Sequence, residues 1–242
     1  MALPKLDTPI HSLKLPSTGD VVKFRPFLVK EEKILLTALE SQDENTIIEA
    51  VKQIINNCLL TDGIDIEQMP MFDIEYFFLQ LRAKSVSDVV TLRYKNNACT
   101  FDEGKPCGKE LQVMVKLDEI EVTKAENHQT KIQLNENIGV IMKYPTMEIM
   151  TKYQDTADKD SLFGLIAECV NTIFDKDEVY SPDSFTKEEL EDFILSMTQQ
   201  QFEKIREFFE TMPQLKKTVN VSCKKCGYNR EVTLTGLKDF FV

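Results

Sequence analysis

Two Cys-Gly steps, Cys107-Gly108 and Cys226-Gly227, stand 119 positions apart, and no other feature constrains this 242-residue chain as strongly. Each closes a cysteine pair, Cys99-x7-Cys107-Gly and Cys223-x2-Cys226-Gly, set between two β-prone segments. A thiolate pair on a tight turn presents two sulfurs on one side. Glycine after the second cysteine lets the chain turn with φ > 0 and frees backbone N–H groups to donate to sulfur. Two such pairs supply the four thiolates of a closed tetrahedral Zn²⁺ site. Lys105, Lys109, Lys224 and Lys225 lie beside them and offset its negative charge. Cys99, Cys107, Cys223 and Cys226 are therefore the expected ligands of a structural Zn²⁺, with no open position for catalysis. The first pair carries the weaker signal, its loop being longer than the usual spacing.

The cysteine pairs belong to a larger correspondence. Pro26 and Pro145 are also 119 positions apart, each ending a β-prone stretch before a helical one, and Ile54-Ile-Asn-Asn aligns with Cys169-Val-Asn-Thr. The expected fold is α+β: two diverged repeats, roughly 21–117 against 138–242, each running strand, helices and β-hairpin knuckle, joined by the four-cysteine zinc site. The expected domains are an N-terminal arm or hairpin over 1–20, a first half over 21–125 and a second half over 126–242.

Periodicity fills in the elements. IHSLKL, PSTGD and VVKFRPF read as a hairpin, and Leu28–Leu39 as a helix. Ser41 and Glu44 form a capping box for the next helix, whose apolar face is Ile47, Ile48, Val51, Ile54, Ile55 and Cys58. Ile74, Phe77, Phe78 and Leu81 share one side of a third. DVVTLRY and ELQVMVK flank the first cysteine loop as strands. Further on, IGVIMKYP reads as a strand, and Leu162, Ile166, Cys169, Val170 and Ile173 as one helix face. Thr186 with Glu189, and Thr198 with Gln201, cap two more helices before the strands VNVS and EVTL. Cys58 and Cys169 fall on apolar faces and are expected in the core, whereas Tyr76, Phe78 and Phe208 read either as core or as a surface that docks a partner, with core favoured. His11 and His128 read as surface residues.

The remaining features exclude function classes. A net charge of −11 argues against a general nucleic-acid binder, which needs a concentrated basic face. No apolar run of transmembrane length and no apolar h-region near the start is present, so neither a membrane span nor a signal peptide is expected, and six cysteines in a reducing cytosol read as ligands or core. No phosphate loop, nucleophile elbow or HExxH occurs. The acidic pairs Glu188-Glu189 and Glu191-Asp192 read as a solvated helix face. Two readings compete with a structural zinc protein: a zinc-ribbon nucleic-acid or transcription adaptor, and a CxxC dithiol oxidoreductase. The second needs the pair at a helix N-terminus, whereas Gly-Tyr-Asn-Arg-Glu-Val-Thr-Leu after Cys226 reads as turn and strand.

The opening ALPKLDTPIHSLKLPSTGDVVKFRPFLVKEEKILLTALES, with Lys23, Arg25, Pro26, Phe27, Glu31, Glu32 and Lys33, resembles the baseplate hub subunits and hub assembly proteins of T4-like bacteriophages. The likeness is most specific over about residues 2–40 and the architecture is similar along the chain. It implies a non-enzymatic, chaperone-like role in tail assembly, in the host cytoplasm or the virion tail baseplate. The partners it implies are baseplate hub or tape-measure proteins. It brings no catalytic residues.

Overall fold

The computed structural model describes residues 6–41, 43–95, 107–108, 110–153 and 159–240. In chain order the elements are β1 (His11–Lys14), β2 (Val21–Phe24), α1 (Val29–Ser41), α2 (Glu44–Cys58), α3 (Met71–Ser85), β3 (Val89–Lys95), β4 (Glu110–Lys116), β5 (Val122–Thr123), β6 (Lys131–Gln133), β7 (Gly139–Met142), α4 (Met147–Tyr153), α5 (Lys159–Cys169), β8 (Val170–Phe174), β9 (Val179–Tyr180), α6 (Lys187–Leu195), α7 (Gln199–Thr211), β10 (Gln214–Ser222) and β11 (Asn229–Thr235). All strand pairs are antiparallel. β1 pairs with β2 and β3 with β4; a three-stranded sheet runs β11-β10-β5 and a four-stranded one β6-β7-β8-β9. The α+β class is as expected.

Contacts divide the chain into two compact units. The first comprises 1–64, 72–123 and 214–242; the second comprises 65–71 and 124–213. The C-terminal hairpin β10–β11 thus belongs with β3 and β4, not with the residues that precede it. Its register explains why: Gln214 and Leu215 of β10 pair with Thr123 and Val122 of β5. That pairing carries Leu215, Leu234 and Phe240 into a core built on Leu79, Leu92, Val115, Leu117 and Ile120. The second unit has its own core, in which Val140, Ile166, Cys169, Ile194, Ile205 and Phe208 are buried.

A zinc site joining two repeat halves through four cysteines is therefore corrected on two counts. The described sulfurs that come together are three, those of Cys107, Cys223 and Cys226. Cys99, Lys105 and Lys109 lie outside the described residues. All three sulfurs belong to the first unit, so the cluster fastens parts of one compact body.

Repeated strand–helix units do recur, one in each body. In the first, Phe24 bridges Leu59 and the Arg25 N–H donates to the Cys58 carbonyl at 3.0 Å. In the second, Met142 pairs with Val170 and the Lys143 N–H donates to the Cys169 carbonyl at 2.8 Å. Cys58 and Cys169 are equivalent, each fully buried at the end of its helix. The sequence alignment of Ile54 with Cys169 is displaced by four residues, one helical turn, from this equivalence.

Local chemistry accounts for most element boundaries. Both later capping boxes form, Thr186 with Glu189 and Thr198 with Gln201. At α2, however, Asp43 and not Ser41 is the N-cap, accepting from the Thr46 N–H at 2.7 Å; the Ser41 hydroxyl instead ends α1 by donating to the Ala38 carbonyl. The helix expected through Ile173 stops at Cys169. From Val170 the chain is β8, its β-branched residues paired with β7. A helix and a buried strand share the same apolar run, and pairing decided between them.

Candidate metal centre

The cluster is assembled by two hairpins. β4 carries Leu111 and β10 carries Val221 inward, and with Cys223 these form a small buried group. Tyr94, Val113, Val219, Tyr228 and Val232 pack around it with Cys107 and Cys226. The alternation along β4 and β10 sets this shell, and it is the sequence signal for these non-ligand residues.

The turn after β10 has the form of a knuckle. The Cys223 N–H donates to the Tyr228 carbonyl at 2.7 Å, and the Gly227 N–H to the Cys223 carbonyl at 2.9 Å. Gly227 has φ +72° and Gly108 has φ +60°, so both glycines occupy the left-handed region that their positions after cysteine require. Beyond Cys226 the chain turns into the strand β11, so the pair does not sit at a helix N-terminus.

The three sulfurs lie within 4.8 Å of one another. Ligands of a tetrahedral zinc at ordinary Zn–S lengths stand about 3.8 Å apart, so a small contraction brings these onto one ion. The Cys223 thiol is brought down to about 7, chiefly by the Cys226 N–H, against a rise from burial, and further by the Lys225 N–H and the neighbouring cysteines. A sulfur already stabilised as thiolate at neutral pH is a competent soft-metal ligand. Lys224 and Lys225 lie between the two cysteines in the turn, on the outside.

The other cysteines contrast with these. Burial pushes Cys58 up to about 11 and Cys169 up to about 12, so both are inert core thiols as expected. Phe78 and Phe208 are buried and Tyr76 packs against the first core, so all three are core residues. His128 differs from its surface reading. Its Nδ1 lies 3.0 Å from Thr211 Oγ1 and its Nε2 3.0 Å from the Tyr144 hydroxyl, and its ring packs on Tyr144 and Phe208.

The family profile of T4 bacteriophage base plate proteins matches residues 8–242. The chain belongs to that family. Another base plate protein, baseplate hub assembly protein gp26 of Enterobacteria phage T4, is 24% identical over 222 residues, covering 91% of this chain and 92% of its own. No solved structure matches the chain. The family is one of structural tail-assembly proteins and not of enzymes. The motif at its N-terminus also has a physical basis. Glu31, whose side chain is fully buried, accepts from Arg25 Nη2 at 3.0 Å and from the Leu28 N–H at 2.8 Å. Arg25 in turn donates to the Asn57 carbonyl, which locks β2, α1 and the end of α2 together in this base plate protein.

Proposed function

We propose that this protein is a non-enzymatic hub assembly factor or hub subunit of a phage tail baseplate, working in the host cytoplasm by binding hub or tape-measure components. Similarity to a hub assembly protein along nine-tenths of both chains carries the reading. Among the described residues no helix is long and apolar enough to cross a membrane. Co-expression with each hub and tape-measure protein of the same phage is expected to give a stable complex in pull-down. Failure with every one of them would sink the partner assignment.

Cys107, Cys223 and Cys226 hold a Zn²⁺ that is structural. The ion clamps the β10–β11 turn against the end of β4, and its binding is coupled to folding of that region. The convergence of three sulfurs supports this. Protein purified without added metal should contain about one zinc per chain by elemental analysis. Cys223→Ser and Cys226→Ser should lose it, whereas Cys169→Ser should keep it. Metal-free protein with the thiols of Cys107, Cys223 and Cys226 freely titratable and the fold intact would refute the site.

A further inference from the structure

The second unit carries a groove with an apolar floor and an acidic rim. The floor is Ile138, Ile173, Tyr180, Phe185, Leu190 and Phe193, around a cavity of about 280 Å³, enough for a bulky side chain. Of the six only Leu190 is buried; the others keep part of their surface in solvent. The opening follows from topology. β9 is a two-residue edge strand that pairs with only Ile173 and Phe174 of β8, leaving the space between the sheet edge and α6 uncovered. Val179 on that edge is 71% exposed.

Charge determines what fits. The second unit carries 9 Lys and Arg against 20 Asp and Glu, while the first carries 20 of each, so the whole net charge of −11 resides on the body with the groove. Between Phe174 and Phe193 there are eight carboxylates and two lysines, and one of the lysines, Lys187, is paired with Glu191 at 3.5 Å. Asp175 and Glu189 stand at the groove itself. A second copy docking by the same face would set these carboxylates against each other, a like-charge juxtaposition that costs several kcal/mol in general. An acidic partner meets the same repulsion, and a neutral apolar one leaves the rim uncompensated.

We propose that this groove docks a basic amphipathic segment of a partner protein, a bulky apolar side chain entering between α6 and the β8–β9 edge while flanking Lys or Arg residues meet the carboxylate rim. The proposal deepens the assembly reading by naming the surface and the partner's chemistry, and it rests on that reading. The full-length protein, ¹⁵N-labelled, is titrated with a synthetic helical Leu/Lys peptide of about 15 residues. Expected are saturable shifts at Ile138, Ile173, Leu190 and Phe193. They should vanish when the peptide's leucines are replaced by serine, or its lysines by glutamate. Neutralising the two rim carboxylates by Asp175→Asn and Glu189→Gln, which keeps their hydrogen-bonding oxygens, should weaken binding about tenfold or more while leaving the circular dichroism melt in place. Equal binding of the serine peptide, shifts that avoid the groove, or no shift at all would overturn the proposal. So would groove shifts that grow with protein concentration alone, which would mean a second copy. No phage component enters this titration, so its failure is separable from failure of the hub-complex pull-down.

Discussion

At the scale of single residues, two titratable groups tie folding to pH in opposite directions. Glu75 sits under the 3₁₀ turn Leu237–Phe240, where its Oε1 accepts the Leu237 N–H at 3.2 Å. Burial pushes its carboxyl up to about 7, with that hydrogen bond pulling the other way. The folded chain therefore holds this proton more tightly than the unfolded one, and the contribution to stability, full below about pH 4.5, is lost as pH rises through 7. Glu75→Gln keeps the acceptor and removes the charge. It should be more stable than the parent at pH 8 by up to about 3 kcal/mol in urea denaturation, and nearly equal to it at pH 5. His128 has the reverse sign. Desolvation, with Lys124 nearby, lowers its imidazole below 6.5. The Thr211 hydroxyl donates to the Glu207 carbonyl, so Nδ1 supplies the proton to Thr211 and Nε2 accepts from Tyr144. Protonation breaks this arrangement, so stability present above pH 6.5 is lost as pH falls through the folded value. His128→Gln should flatten the fall in melting temperature between pH 7 and 5; an unaltered slope would assign it to other groups.

At the scale of elements, caps and turns decide where segments end. Thr198 and Gln201 satisfy two N–H groups at the start of α7, the helix that carries the buried Ile205 and Phe208. Thr198→Ala should cost about 1 kcal/mol in chemical denaturation, and Thr198→Asp should restore most of it. Gly139, inside β7, answers to space: a Cβ there would stand 2.3 Å from the Phe174 ring and 2.7 Å from the Ile132 carbonyl. Gly227 answers to conformation: nothing lies near its missing Cβ, but φ is +72°. Gly227→Ala should therefore cost only the left-handed strain of about 1 kcal/mol in the parent fold, measured by denaturation, whereas Gly139→Ala should cost more through clash with backbone. The α1–α2 junction shows the limit of a capping signature, since Ser41 and Glu44 had the spacing but Asp43 had the geometry.

At the scale of the whole molecule, chemistry and charge are divided between the bodies. The three-cysteine cluster lies in the neutral one and the apolar groove in the acidic one. Removing the proposed metal should thus loosen one body and spare the other. In hydrogen exchange of chelator-treated protein, protection is expected to fall over β4, β10 and β11 and to hold over β7, α5, α6 and α7. Uniform loss of protection would contradict a cluster confined to the first unit.

Much of this architecture is written in the residues themselves. The first hairpin, the third helix, the strands around the cysteines, two capping boxes, the inert core cysteines and the left-handed glycines arise from periodicity, turn chemistry and local sterics, which act over a few residues. The N-terminal motif also pointed to the family. Tertiary structure alone decided the rest. Val170 to Phe174 became strand because β7 was there to pair with it, and His128 became half-buried because its ring packs on Tyr144 and Phe208 and meets Thr211. The last hairpin joined the first body because β5 offered its edge and the apolar core around Leu79 and Leu117 took in Leu215, Leu234 and Phe240. Such choices depend on partners distant in sequence, whose burial and backbone pairing outweigh the preferences of any local stretch.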